Sequence, residues 1–110
     1  MKDKVTNRKK QRLIVYFGIE VADNTAFTRN VSETGVFINT NKVYKPGTTI
    51  KLKLNFPERS FSMLASVIWA KRIPPQLTRV VACGMGVRFI DPGPEWFEFF
   101  NQWHQQKGGG

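Results

Sequence analysis

The sequence predicts a mainly β fold: a six-stranded antiparallel β-barrel followed by one C-terminal α-helix. Segments rich in β-branched and aromatic residues recur between Leu13 and Phe89, and turn residues separate them. No helical periodicity lies between these segments, so the crossover helices that a parallel sheet requires are not predicted. The spacing of apolar residues becomes helical only near the end of the chain.

The first three predicted strands are separated by polar turns. Residues 13–21 form the first, because they are rich in β-branched and aromatic side chains. Asp23 and Asn24 then signal a turn before a second strand at residues 25–29. After a further turn at residues 30–35, the third strand follows at residues 36–39.

The next three predicted strands follow turns or loops. A turn at residues 45–48 precedes residues 50–56, where apolar and polar residues alternate as in a strand with one buried face. Residues 57–60 close a hairpin loop that leads into the longest strand, residues 61–71. The last strand is predicted at residues 80–89, where Gly84 and Gly86 suggest a bulge or the close packing of another backbone.

Alternation along the longest strand assigns its side chains to two faces. One face is predicted to hold Met63, Ala65, Val67 and Trp69. The opposite face is predicted to hold Leu64, Ser66 and Ile68.

Residues 91–95 are predicted to open a helix, because Pro94 and Glu95 suit its first turn. Four aromatic residues then follow the i, i+3, i+4, i+7 spacing of a buried stripe: Trp96, Phe99, Phe100 and Trp103. We expect this stripe to pack over an open end or side of the barrel. A helix that binds a partner is the alternative interpretation.

The composition indicates one small globular domain. The chain has 110 residues, of which 41% are hydrophobic, and its single cysteine, Cys83, excludes an internal disulfide. No Cys/His spacing suggests a metal, and no cofactor is predicted. No apolar run is long enough to span a bilayer, and the N-terminus lacks the apolar stretch of a signal peptide, so we expect a cytoplasmic protein.

The net charge of +9 favours an anionic partner, and the charge is concentrated at one end. Residues 1–12 hold six cations and one acid. We therefore divide the chain into a flexible basic arm at residues 1–12, a barrel with its helix at residues 13–106 and a flexible tail at residues 107–110. A solvated tail with no ligand is the simpler interpretation of such a basic run.

Two short stretches carry groups suited to a nucleotide. In the arm, Arg8 and Arg12 offer planar forks that pair with guanine edges, stack on bases or clamp phosphate. Further on, Asn30, Ser32 and Gly35 combine an amide for a base edge, a hydroxyl for phosphate and a glycine that can take a positive φ. Taken alone, the second stretch is more typical of an ordinary turn between two strands than of a binding site.

Together these stretches resemble the PilZ domain family, which binds the bacterial second messenger cyclic di-GMP. Its signature joins Arg-x-x-x-Arg on an N-terminal switch loop with Asp/Asn-x-Ser-x-x-Gly, and this sequence departs from neither. Residues 84–89 resemble the glycine-rich last strand of these domains, and residues 67–69 resemble the strand that often carries an aromatic beside the nucleotide. The resemblance extends from about Arg8 to Gln105.

The resemblance implies a cyclic di-GMP site whose main contacts are Arg8, Arg12, Asn30, Ser32 and Gly35. The arginines would supply charge, base-edge hydrogen bonds and stacking. Asn30 would recognise a guanine edge, while Ser32 and the backbone near Gly35 would hold phosphate.

Further contacts are expected from an aromatic side chain and from the rim of the site. Trp69 is either a stacking platform for guanine or a core residue. The possible rim contacts are Lys9, Lys10, Arg29 and Arg72.

An enzyme is not predicted. His104 is a lone histidine on the helix, no Ser–His–carboxylate set is visible, and Cys83 resembles a small strand hydrophobe more than a nucleophile. The acids are scattered, and no phosphate-binding glycine loop is present.

The favoured function is therefore a cyclic di-GMP receptor that orders its arginine arm on binding and signals to a protein partner. In the family such partners belong to motility, pilus, secretion or polysaccharide systems. One alternative is a small barrel that binds single-stranded nucleic acid with strong salt dependence, although nucleic acid is the less favoured partner. The other is a PilZ scaffold that acts only through protein contacts, which the intact signature disfavours.

Overall fold

A computed structural model describes residues 12–71 and 83–109. They form six strands and one helix: β1 (Leu13–Gly18), β2 (Asn24–Val31), β3 (Gly35–Asn39), β4 (Thr49–Asn55), β5 (Ser60–Lys71), β6 (Gly84–Ile90) and α1 (Pro94–Gly109). The strands close into an antiparallel barrel in the order β1-β2-β3-β6-β5-β4, with β4 paired to β1. The predicted fold class, a six-stranded barrel with a C-terminal helix, is confirmed.

The strand boundaries differ from the predicted ones at several ends. β1 ends at Gly18 because the chain folds back there, and a side chain at Gly18 would overlap the carbonyl oxygen of Val21. β2 extends two residues beyond its predicted end, to Val31. The beginning of the predicted last strand, residues 80–82, lies outside the described residues, as do residues 1–11 of the arm.

The core is formed by alternating residues of the barrel strands. β4 shows the pattern most clearly, since Ile50, Leu52 and Leu54 are buried while Lys51 and Lys53 are exposed. The turn before β4 also forms as predicted. The amide of Thr48 donates to the carbonyl of Lys45, and Gly47 adopts a positive φ of 96°.

The helix packs its aromatic stripe against the barrel, as the spacing predicts. Trp96 and Trp103 are buried, and Phe99 and Phe100 are half-buried. The Trp96 ring meets three barrel side chains edge-on or tilted, with centroids 5.2–5.9 Å away: Phe56, Phe61 and Phe89. The helix extends to Gly109, three residues beyond the predicted boundary at residue 106.

Two β-bulges interrupt the sheet, one in β2 and one in β5. In β2, Phe27 pairs with Asn39 and Asn30 with Phe37, which leaves two residues opposite one on β3. In β5, Val67 pairs with Val87 and Trp69 with Gly86, so one residue of β5 has no partner. An extra residue reverses the alternation of side chains beyond it. The positions after each bulge therefore change faces.

The glycines of β6 do not mark a bulge in that strand, contrary to one of the two predictions for them. β6 pairs with β3 without a register shift, from Gly35 opposite Arg88 to Asn39 opposite Gly84. The second prediction, close packing, describes Gly84 correctly, because a side chain there would overlap the backbone carbonyl oxygen of Ile38.

In the described part of the chain, no helix has the length and apolar character that a membrane crossing requires.

Candidate ligand-binding groove

A groove of about 700 Å³ lies on the outer face of the barrel, across β2, β3, β6 and β5, and we call it the outer groove. One turn of α1 contributes to its wall through His104. The side chains and backbone that matter most for its chemistry are Asn30, Ser32, Gly35, Phe37, Trp69 and Arg88. The structure thus brings together four residues that the sequence predicts as ligand contacts.

Asn30 reaches the groove because of the bulge in β2. Thr28 is fully buried and points into the barrel, and simple alternation would also turn Asn30 inward. The bulge instead leaves Asn30 exposed. The backbone N–H of Asn30 donates a hydrogen bond to the Thr28 hydroxyl at 3.0 Å, so this backbone group has a partner within the bulge. The Asn30 side-chain amide makes no hydrogen bond with another described residue, so it is available to a ligand.

The Ser32 hydroxyl organises the turn between β2 and β3. It accepts hydrogen bonds from the backbone N–H groups of Thr34 at 3.3 Å and Gly35 at 3.1 Å. It also lies 3.2 Å from the Gly35 carbonyl, to which it can donate. Two N–H groups that the sequence suggests for phosphate are therefore already satisfied by Ser32.

Gly35 does not take the positive φ that its place in the turn suggests. Among the described glycines, positive φ occurs at Gly47 and Gly93. Gly35 is required for a different reason, because a side chain there would overlap the carbonyl oxygen of Val87 on β6. Its function in the fold is to let β3 and β6 approach closely.

The same turn is fixed to the rest of the fold at two points. The indole Nε1 of Trp96, which is fully buried, donates to the carbonyl of Glu33 at 2.8 Å. The amide of Phe89 donates to the carbonyl of Thr34 at 2.8 Å. The helix and the last strand thereby hold the turn in position beside the groove.

An aromatic pair forms the middle of the groove. Phe37 and Trp69 stack with ring centroids 5.2 Å apart and an interplanar angle of 20°. Strict alternation predicts Trp69 on the same face as Val67, and that prediction is wrong. The unpaired Ile68 of the β5 bulge turns Trp69 outward, where 46% of its surface is exposed. The indole lies across Gly86, whose lack of a side chain makes room for it.

We predict that Gly86→Ala destabilises the fold by about 1–3 kcal/mol, the usual cost of overpacking. An added methyl group would overlap the indole Nε1 of Trp69. In a Trp69→Ala background the same substitution should cost much less, because the overlapping ring is gone. Urea unfolding of the four proteins measures both costs, and equal costs in the two backgrounds would contradict this packing.

Arg12 is the one residue of the predicted arm that the structure describes, and it is exposed at the start of β1. Its guanidinium carbon lies 4.2 Å above the centre of the Phe27 ring, within cation–π distance. Leu13 pairs with Thr28, which brings Arg12 beside the bulge in β2. Arg12 does not itself line the outer groove.

The other predicted cationic contacts are not located in the groove by the structure. Arg8, Lys9, Lys10 and Arg72 lie outside the described residues. For Arg29 the backbone is described, and it belongs to the bulge of β2.

Several residues that line the groove are absent from the sequence-based set, and those with the most chemistry to offer are Phe37, Arg88 and His104. Arg88 lies opposite Gly35 on one side and Ser66 on the other. The ring of His104 stacks on Phe100, with centroids 5.6 Å apart. Arg88 lies in the stretch that resembles the last strand of the family, but nothing in that stretch marks it as a ligand contact, and no motif includes His104. The place of both residues at the groove depends on which strands pair and on how the helix packs against the barrel.

The chemistry of the groove is that of a site for a planar, anionic ligand. Among the described residues no carboxylate lines the groove, and Arg88 contributes positive charge. Within residues 12–71 and 83–109, no group of three or more His, Cys, Asp or Glu side chains is placed to hold a metal. The groove therefore offers a ligand three kinds of group: the exposed face of Trp69, the side-chain amide of Asn30 and the guanidinium of Arg88.

The closed barrel thus carries on its outer face a groove whose lining would suit a small, planar ligand. The PilZ domain model matches residues 6–96, so the chain belongs to the PilZ domain family. PilZ domains are binding or adaptor domains and are generally non-enzymatic. Membership supports a cyclic di-GMP-binding adaptor as the general function.

Among solved structures, the chain is similar to the Bacillus subtilis inhibitor of motility, MotI/DgrA. The TM-score is 0.69 at 16% sequence identity, over 86% of this chain and 45% of that one. The likeness therefore concerns the fold, and this chain spans less than half the length of that protein. No curated protein matches the sequence significantly.

Proposed function

We propose that this chain is a cyclic di-GMP receptor that orders its N-terminal arginine arm on ligand binding and signals to a protein partner. The observation that carries the proposal is the convergence of Asn30, Ser32 and Trp69 on one groove without carboxylates. These residues lie up to 39 positions apart in the sequence. If Asn30 and Ser32 only formed a turn, there would be no reason to expect an exposed aromatic side chain beside them.

The groups of the groove match the parts of the ligand. Cyclic di-GMP has two guanines and two phosphates. The exposed face of Trp69, backed by Phe37, suits stacking with a guanine base. The unpaired Asn30 amide offers both a donor and an acceptor for a guanine edge.

The arm would supply further planar cations from outside the barrel. In the structure Arg12 rests on Phe27, next to the bulge that turns Asn30 outward. An exposed cation–π contact of this kind is worth only about 0.5–1 kcal/mol. A ligand that offers phosphate and guanine contacts therefore competes easily for this guanidinium, and Arg8 would follow on the same segment.

The proposed output is a new surface, formed by the ordered arm and the bound nucleotide, that a protein partner recognises. Family membership supports a partner from a motility, pilus, secretion or polysaccharide system. The name of MotI/DgrA, an inhibitor of motility, favours the first of these.

Isothermal titration calorimetry tests the proposal with cyclic di-GMP, GTP and a short single-stranded oligonucleotide. We expect cyclic di-GMP to bind more tightly than the other two. Tight, strongly salt-dependent binding of the oligonucleotide would instead favour the nucleic-acid-binding alternative that the charge of +9 suggests. Absence of any nucleotide binding would favour a scaffold that acts only through protein contacts.

Hydrogen exchange tests the ordering of the arm separately. We predict that amides around residues 8–12 become protected when cyclic di-GMP saturates the protein, because contacts of Arg8 and Arg12 would hold the segment on the barrel. Core amides of β4 serve as the internal control, since the barrel is already hydrogen-bonded there. If hydrogen exchange at residues 8–12 were unchanged at saturating cyclic di-GMP, the proposed ordering of the arm would be wrong.

A further inference from the structure

Arg88 occupies a place in the outer groove that the PilZ signature does not describe. It is exposed on β6, directly opposite Gly35 at the end of the signature turn. Because Gly35 has no side chain, nothing from that position of β3 covers the neighbouring arginine. The Arg88 side chain lines the same groove as Asn30 and Trp69.

Arg88 has no evident structural function that would explain an arginine here. Within the described residues it makes no ion pair, no hydrogen bond through its side chain and no cation–π contact. By contrast, the guanidinium groups of Arg12 and Arg59 each lie over a phenylalanine ring, 4.2 Å from the centre of Phe27 and 4.3 Å from the centre of Phe61. A guanidinium without such a partner, in a groove without carboxylates, is free to bind an anion.

His104 lies at the same groove and is positioned by the helix. Its ring is parallel to that of Phe100 within 13°, and the adjacent Trp103 is buried in the core. The imidazole is therefore held at the groove wall, where it can donate or accept a hydrogen bond.

We propose that Arg88, assisted by His104, holds a phosphate of the bound nucleotide. The inference rests on the proposed function. Arg88 belongs to the closed barrel, where β6 is paired on both sides, so its backbone position does not depend on a ligand.

Calorimetry with cyclic di-GMP tests the inference on the parent protein, Arg88→Ala, Arg88→Lys and His104→Ala. We expect Arg88→Ala to weaken binding about 10- to 100-fold, the effect of losing a charge-assisted hydrogen bond. Arg88→Lys should recover part of that loss, since it keeps the charge and lacks the planar fork. His104→Ala should cost about 2- to 10-fold, as for a neutral hydrogen bond.

The matched control is Lys51→Ala, which removes one exposed positive charge from β4, away from the groove. We expect it to change affinity less than twofold. Thermal unfolding of every variant verifies that the barrel remains folded. A second readout is salt dependence: affinity should fall less steeply with added salt in Arg88→Ala than in the parent, because one ionic contact has been removed.

The possible outcomes separate this inference from the proposed function. If the parent binds cyclic di-GMP and Arg88→Ala binds equally well, the inference alone is wrong. If Arg88→Ala binds weakly but keeps the salt dependence of the parent, Arg88 does not contact phosphate, and the inference is again wrong. If the parent does not bind cyclic di-GMP, the proposed function fails and the inference fails with it.

Discussion

Trp96→Ala is expected to lower the free energy of unfolding by about 3–5 kcal/mol, the usual cost of removing a large buried aromatic side chain. The Trp96 ring is fully buried and contacts Phe56, Phe61 and Phe89 between the helix and the barrel. Its loss would leave a cavity at that interface and remove the hydrogen bond to the Glu33 carbonyl. Urea unfolding, analysed by linear extrapolation, measures the change.

Trp96→Phe separates the two contributions, since it keeps most of the buried ring and removes the N–H donor. We expect a smaller loss, about 1–3 kcal/mol, the cost of leaving a polar group unsatisfied. The matched control is Phe97→Ala at the next position, where 38% of the side chain is exposed, and it should cost about 1 kcal/mol or less. Similar losses for Trp96→Ala and Phe97→Ala would contradict the packing described here.

Arg12→Ala is expected to weaken cyclic di-GMP binding by about 2–4 kcal/mol, on the scale of combined charge-assisted hydrogen bonds. The prediction rests on the proposed function, in which Arg12 contacts phosphate and guanine together. Arg12→Lys should restore little of the lost affinity, because lysine has no planar fork and stacks poorly. Calorimetry of the three proteins measures the difference.

Arg59→Ala provides the matched control for Arg12. Both guanidinium groups lie over a phenylalanine ring, at 4.2 Å for Arg12 over Phe27 and 4.3 Å for Arg59 over Phe61. Arg59 is not part of the outer groove, so its loss should leave affinity nearly unchanged. If Arg12→Lys bound cyclic di-GMP as tightly as the parent, the proposal that Arg12 acts through its planar guanidinium would be wrong.

Much of the fold is encoded locally, and for that reason the sequence predicts it. Alternation in residues 50–56 identifies β4 and its buried face, because strand side chains repeat every two residues. The helical spacing of Trp96, Phe99, Phe100 and Trp103 likewise identifies the face of α1 that packs on the barrel. The signature residues Asn30, Ser32 and Gly35 are also visible in the sequence, as a short motif.

The orientation of the site residues was decided by the tertiary structure. Trp69 is exposed because β5 has one residue more than its partner β6 between two paired positions, and Asn30 is exposed because β2 has one more than β3. A bulge is a mismatch between two strands, so the pattern of one strand alone does not reveal it.

Composition and local pattern thus indicated a small antiparallel barrel, an aromatic helix and a short signature motif, in a chain whose first twelve residues are strongly basic. Only the closed barrel determined that Arg88 and His104 share a groove with that signature. β6 lies between β3 and β5, and this order places Arg88 beside Gly35 although 53 positions separate them in the sequence. The physical reason is that strand pairing joins distant segments through backbone hydrogen bonds, which carry little information about the side chains that they bring together.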